Sequence, residues 1–412
     1  MKLINYYKKL IYFIPISLTC SIFVTNLIIT LCSIFFLIDT FRFRLFNYYR
    51  INFFNIFFTF FFLINISAIV NQNILSFKYS IGFLRYGLFS VLILYILDND
   101  KNFIKNFCYI LLSTVIFIIT DAIIQLTFGV NLFSMKIQSY TTGLEYITGI
   151  FGEEKKLGSF LSRIFPLVVI SSIIVLKKNK NEFYCLPEIL FILIGIVIIF
   201  TTERVAFFIY LSILYVILIK SKIFYKKKII WHLSLIAIFL TIIFLKPEIY
   251  EKFKSTLYQF GILHPGYAEH DTSIVKGGYE SDRLYFFSKF YSDQIINSYN
   301  IFKDNILFGI GPKNYHKIQL NAWHPHNYYA QILSELGIFS FLIILFILFF
   351  LLFKFLKIFF FKKLSSEVDE INFIFITFFM VSLLPIPTGD FFNSWLNSIQ
   401  FLPLGFFLYY EK

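Results

Sequence analysis

Charge is what this chain has least of: Asp, Glu, Lys and Arg make up 15% of its 412 residues, against roughly 25% in soluble domains. With 58% hydrophobic residues and a mean hydropathy of +0.74, that scarcity excludes a water-soluble domain and identifies an integral membrane protein. Cysteine is scarcer still. Cys20, Cys32 and Cys108 lie inside apolar segments and Cys185 starts another, without the spacings of a metal site or a disulfide framework, so all four read as buried thiols. No small-residue cleavage site follows the first apolar run, which is also too long for a signal-peptide core, and that segment is expected to stay in the membrane. Finally, no repeat relates the two halves, which weakens a transporter reading because many transporters are built from paired repeats.

What the chain does have is long apolar runs. A hydrocarbon core needs about 20 apolar residues per helix, and scanning at that length gives twelve candidates, at 10–24, 25–39, 51–70, 79–97, 104–127, 157–176, 185–201, 204–219, 229–246, 337–354, 371–387 and 394–410. The first two share one stretch, split at the polar Thr25-Asn26. Basic residues exceed acidic ones by 37 to 24, a balance that would suit nucleic acid, but 21 of the 37 fall in short loops on one side of this arrangement. The excess therefore reports a cytoplasmic side, not a nucleic-acid partner. Both termini are expected on that side.

The fold class expected is thus an all-α integral membrane protein. Helices one to nine would occupy residues 1–246, a large, mostly helical outer loop residues 247–336, and helices ten to twelve residues 337–412. That loop is the only outer segment large enough to fold as a small domain.

Several polar residues sit where a charge is costly. Arg85 lies inside the fourth span, Arg163 inside the sixth, and Arg204 at the outer junction of the seventh and eighth. An arginine at membrane depth costs roughly 3 kcal/mol or more, so each needs a partner or a polar cavity. A snorkelling side chain or a buried salt bridge, to Glu203 or Asp121 for example, would supply one. Three on one side point instead to an anionic, diphosphate-like ligand, because a guanidinium offers a fixed fork of donors suited to phosphate oxygens. Arg283 in the outer loop is a fourth candidate.

The stretch "WHPHNYYAQILSELG", residues 323–337, concentrates the remaining chemistry. Pro325 restricts His324 to extended backbone, and the helical periodicity that follows places His326 at or just before a helix start on the outer face. A histidine there is suited to take a proton from a hydroxyl at neutral pH. Glu335, about two turns into that helix, orients a partner or caps the membrane entry. Two other readings stand beside this one: a His-X-His metal site, which lacks a third ligand, and an aromatic belt with Trp323, Tyr328 and Tyr329. "GIGPKNYHKIQ" (309–319) lacks the Gly-Lys-Ser/Thr ending of a phosphate loop and reads as a turn shaping the outer domain. "DND" (98–100) reads as a solvated helix end.

His326-Asn327, nine residues and then Gly337, followed by the small Ser340, is similar to the His-Asn-x9-Gly signature of the O-antigen ligase/polymerase family of bacterial membrane glycosyltransferases. "GIFGEEKKLGSFLSRIFPL" (149–167), "TTERVAFF" (201–208), "NILFGIGPKNY" (305–315) and "PTGDFFNSW" (387–395) resemble stretches typical of that family, in its order, and the resemblance covers most of the chain. It implies about twelve spans, a large periplasmic loop between late helices, no bound metal and no cofactor. It also implies His326 as the base, supported by His324, Asn327 and Glu335. Arg204 would hold the donor diphosphate, joined by Arg85, Arg163 and Arg283. The expected activity moves a glycan from undecaprenyl diphosphate to lipid A-core (a ligase) or to a growing glycan (a polymerase), at the periplasmic face of the inner membrane. The reading from another class is a lipid or polysaccharide transporter, with the arginines along a translocation path. Topology gives a first test: a reporter fused after Asp271 is expected to behave as periplasmic and one fused within residues 220–228 as cytoplasmic, and a cytoplasmic signal at Asp271 would overturn the membrane assignment.

Overall fold

The computed structural model describes residues 2–140, 144–176, 186–221, 289–320 and 322–412, together with 232–233, 235–238, 240–241 and 250. Arg283, Asp271, Cys185, the loop at 177–182, nearly all of residues 220–228 and most of the expected ninth span lie outside the described residues. The protein is all-α, 79% helical. A two-residue antiparallel ladder, Gln138–Ser139 against Glu145–Tyr146, is the one sheet among the described residues.

The helices follow the apolar runs. They are α1 (Lys2–Tyr12), α2 (Ile14–Cys20), α3 (Ile22–Phe43), α4 (Asn52–Val70), α5 (Ile74–Asn99), α6 (Asn102–Phe128), α7 (Leu157–Leu176), α8 (Leu186–Phe200) and α9 (Arg204–Lys220). After the outer segment come α10 (Lys289–Asp304), α11 (Tyr315–Ile318), α12 (Tyr328–Phe361), α13 (Glu367–Ser382) and α14 (Ser394–Glu411). Six of the described helices, α3 to α7 and α12, are long and apolar enough to cross a membrane. At 15, 17 and 16 residues, α8, α9 and α13 fall short of that length. Two details differ from expectation. The first break falls at Ser21, which stands extended and caps α3 by accepting from Val24 N–H, so Thr25-Asn26 are inside a helix. Cys32 and Cys108 are buried but Cys20, at the end of α2, is exposed.

In α7 and α5, 83% and 72% of the most apolar window is buried, against 28% in α4 and α12, so α5 and α7 are the inner helices. Polar side chains within the bundle bond across it, as they must where water is excluded: Ser90 to the Phe401 carbonyl at 2.9 Å, Tyr210 to the Phe191 carbonyl at 2.7 Å, and Trp395 Nε1 to the Leu18 carbonyl at 3.0 Å. The connections separate into two sets. At one end Lys8 pairs with Asp100 and Lys412 with Asp98, both at 2.6 Å. The "DND" carboxylates are thus tied to the first and last helices and are not merely solvated. At the other end gather the segments around 71–73, 129–156, 201–203, 305–327 and 383–393, linked for instance by Asn73 to Asn314 at 2.8 Å and by Lys155 to Thr202 at 3.0 Å.

One break in α12 organises that second end. Gly337 has φ +76 and ψ −171, which ends the regular helix nine residues after Asn327. The carbonyls released by such a break need new donors. Ile310 N–H bonds the Ser334 carbonyl at 3.0 Å, Gly311 N–H bonds Glu335 at 2.9 Å, and Ile338 N–H bonds Ile306 at 2.9 Å. Ser67 Oγ adds a bond to the Glu335 carbonyl at 3.0 Å and another to Phe308 at 2.6 Å. The "GIG" turn is therefore a strap across the break in α12. A Cβ on Gly337 would run into the Leu307 carbonyl, and its backbone region is glycine-only, costing a side chain about 1–3 kcal/mol. Gly337→Ala is therefore expected to lower the melting temperature of the detergent-solubilised protein well beyond the effect of Gly129→Ala, where φ is +77 but a Cβ meets nothing. Equal shifts at the two positions would refute a clash with the strap.

Candidate functional site

Asn327 starts α12: its side-chain oxygen accepts from Tyr329 N–H at 3.0 Å and Ala330 N–H at 3.1 Å, the standard satisfaction of an N-terminus. His326, one residue earlier, takes φ +56, which is uncommon for a residue with a side chain. Its carbonyl accepts from Thr388 N–H at 2.8 Å. The half-buried imidazole lies edge-on to Phe290, Tyr291 and His324, with ring centroids at 5.6, 5.8 and 4.1 Å. Burial lowers the proton affinity of both histidines, and His326 lowers that of His324 further. That direction favours the neutral ring, the form in which a histidine accepts a proton.

Arg204 stands at the start of α9, within electrostatic range of Tyr291, the tyrosine that borders His326. The turn before it is clamped to α7. Glu203 accepts from Gly158 N–H at 2.9 Å and Ser159 N–H at 3.0 Å, while Thr202, at φ +55, is bonded by Lys155. Lys155 itself lies 4.4 Å and 4.8 Å over the rings of Tyr140 and Tyr146. Arg163 is buried, with Nη1 donating to the Ser159 carbonyl at 3.3 Å and its charge acting on Glu203 and on Tyr328, at the first turn of α12. Arg85 lies 4.7 Å over the Tyr86 ring and donates to its hydroxyl at 2.8 Å; no contact among the described residues joins it to His326 or Arg204. Asp121 accepts from Leu132 N–H at 3.0 Å and from Asn131 Nδ2 at 3.2 Å, and among the described residues it pairs with no arginine. Among the described residues the buried Nε atoms of Arg85 and Arg163, His324 Nδ1 and Thr388 Oγ1 have no hydrogen-bond partner, as is true of Asn26 Oδ1, Ser340 Oγ and Asn372 Oδ1 within the helices.

A carboxylate network that sequence reasoning missed backs this site. Glu335 accepts from Tyr315 N–H at 3.1 Å and from Gln331 Nε2 at 3.0 Å; Gln331 also donates to Asp390 at 2.9 Å, and Asp390 pairs with Lys313. Glu335 thus ties the 313–315 turn to α12. Lys313 and Asp390 stood inside recognised motifs, but nothing in the sequence signals a pairing across 77 positions. Among the described residues no three His, Cys, Asp or Glu side chains group as metal ligands.

Two part-buried histidines and bridged carboxylates gather at one end of a multi-pass helical protein. Residues 189–345 match the family model for O-antigen ligase, from α8 into the apolar half of α12, a stretch containing Arg204, Arg283, His324, His326, Asn327 and Glu335. That stretch is similar to the O-antigen ligase/polymerase family, a family of membrane glycosyltransferase type. A search of curated proteins gave no match. If the Arg204 fork grips phosphate oxygens in pairs, Arg204→Lys keeps the charge and loses the geometry. Transfer activity is expected to fall severely while the protein still inserts and melts normally; near-full activity would assign Arg204 a general electrostatic role.

Proposed function

We propose that this protein is a ligase that moves a glycan from undecaprenyl diphosphate to a sugar of lipid A-core. His326 takes the proton of the acceptor hydroxyl, the hydroxyl oxygen bonds to the anomeric carbon, and the bond from that carbon to the diphosphate breaks with its electron pair leaving on phosphate. Arg204 takes up the developing charge, with Arg163, Arg85 and Arg283 as further cations, so that electrostatics serves where other transferases use a metal. Asn327 and Glu335 hold the segment carrying the base, and His324 supports it. The observation that carries this reading is the placement of His326 just outside the Asn327 cap of α12, edge-on to Tyr291, within the matched stretch that also holds Arg204.

In this reading the chain crosses the inner membrane about twelve times, with both termini cytoplasmic and the His326 end periplasmic. The grouping of the loops into two ends, with Lys8 and Lys412 at the end away from His326, supports that orientation.

The two histidines supply the test. Both share the same surroundings, so a belt role gives similar, mild losses on change to Ala, and a metal role gives equal, severe losses with sensitivity to EDTA. As the base, His326→Ala is expected to lose roughly 10²- to 10⁴-fold in transfer, His324→Ala less, and EDTA nothing. Because burial lowers the His326 proton affinity below the ordinary value near 6.5, the acid limb of kcat/KM is expected below that pH: activity persists as pH falls past 6.5 and is lost only as the ring finally protonates. Equal losses in the two variants would sink the base assignment.

A further inference from the structure

Asp390 has no part in the chemistry above, yet both of its carboxylate oxygens are bonded behind the base. One of its oxygens accepts from Gln331 Nε2 at 2.9 Å and from Phe392 N–H at 2.8 Å; the other pairs with Lys313. Gln331 closes the ring by accepting from Phe391 N–H at 2.8 Å and by sharing its amide with Glu335. The paired side chains are only 25% and 12% exposed, so the ion pair is withdrawn from the water that makes surface pairs weak. Two residues before Asp390 is Thr388, whose N–H holds the His326 carbonyl. Asn327 Nδ2 reaches the Ile386 carbonyl in the same segment, at 3.5 Å.

His326 occupies a left-handed backbone conformation without being glycine. Such a residue keeps that conformation only where its surroundings over-determine it. Here the determinants are the Asn327 cap on one side and Thr388 on the other. The 386–390 segment is irregular, lying between α13 and α14, and its own anchors are the bonds of Asp390 to Lys313 on the strap and to Gln331 on α12. The Asp390 charge also acts on His324, whose ring abuts that of His326.

We propose that Asp390 is a positioning residue for the base: tied to Lys313 and Gln331, it fixes the segment whose Thr388 N–H keeps His326 in its left-handed conformation, with the imidazole aimed at the acceptor. This rests on the reading of His326 as the base. A displacement of about an ångström at a reacting group is enough to cost two orders of magnitude in rate, so the effect falls on kcat.

Asp390→Ala combined with Lys313→Met removes both charges and leaves no buried lysine unpaired. With purified protein, undecaprenyl-diphosphate-linked glycan and lipid A-core, the double variant is expected to lose about 10- to 100-fold in kcat, with donor KM and melting temperature close to those of the unchanged protein. Asp390→Glu, which keeps the carboxylate, restores part of the loss. Asp390→Asn keeps the shape and the Gln331 bond, and serves if the double variant does not fold; it too is expected to lose kcat and not KM. A wild-type kcat in the variant that folds overturns the proposal, and so does a loss confined to KM. His326→Ala, assayed in parallel, separates the two ideas. Full transfer by that variant defeats the base reading and the positioning role with it, whereas an inactive His326→Ala beside fully active Asp390 variants defeats the positioning role alone.

Discussion

A helix running unbroken from Asn327 to Lys362 would bond its own carbonyls throughout and offer nothing to the chain before it. Left-handed Gly337 ends that regularity after nine residues, and the carbonyls of Ser334 and Glu335 turn to the backbone of Ile310 and Gly311 instead. Everything at the site end depends on this exchange. It brings the 306–315 segment against α12, which puts Lys313 within reach of Asp390 and the Tyr315 backbone within reach of Glu335. It also gives the His-Asn-x9-Gly spacing a physical meaning: Asn327 caps the short helix at one end, Gly337 breaks it at the other, and His326 is held just outside the cap.

The polar groups follow from the solvent that the bundle replaces. Where water is excluded, a backbone or side-chain group left unpaired costs several kcal/mol, and the inner helices satisfy theirs with bonds such as Ser90 to Phe401 and Tyr210 to Phe191. A few buried atoms go without a partner among the described residues, the Nε atoms of Arg85 and Arg163 and His324 Nδ1 among them, as do Asn26 Oδ1, Ser340 Oγ and Asn372 Oδ1 within the helices.

Apolar runs of span length were legible, and most of the expected spans correspond to helices with ends shifted by a few residues. The start at Ser21 was missed because Thr25 and Asn26 look more polar, yet Thr25 satisfies its hydroxyl within the structure, on Ser17 Oγ and the Ser21 carbonyl. The prominence of the His-Asn segment was legible as well, because Trp, His, Asn, Tyr and Glu together are conspicuous in a chain with 15% charged residues. The "GIG" turn was read as shaping the outer domain; its attachment to α12 is made by backbone bonds, which have no side-chain signature.

By itself, then, the sequence determined the all-α membrane class and the apolar helices of the described residues, and it singled out the His-Asn segment, because hydrophobic length and local capping act between near neighbours in the chain. Only the tertiary structure decided which groups stand together. The Lys313–Asp390 pair, the Gln331 amide shared between two carboxylates, and the Thr388 N–H on the His326 carbonyl join segments tens of residues apart. Such pairings are selected by the cost of leaving buried polar groups unsatisfied once the helices have packed, and that cost does not exist until they do.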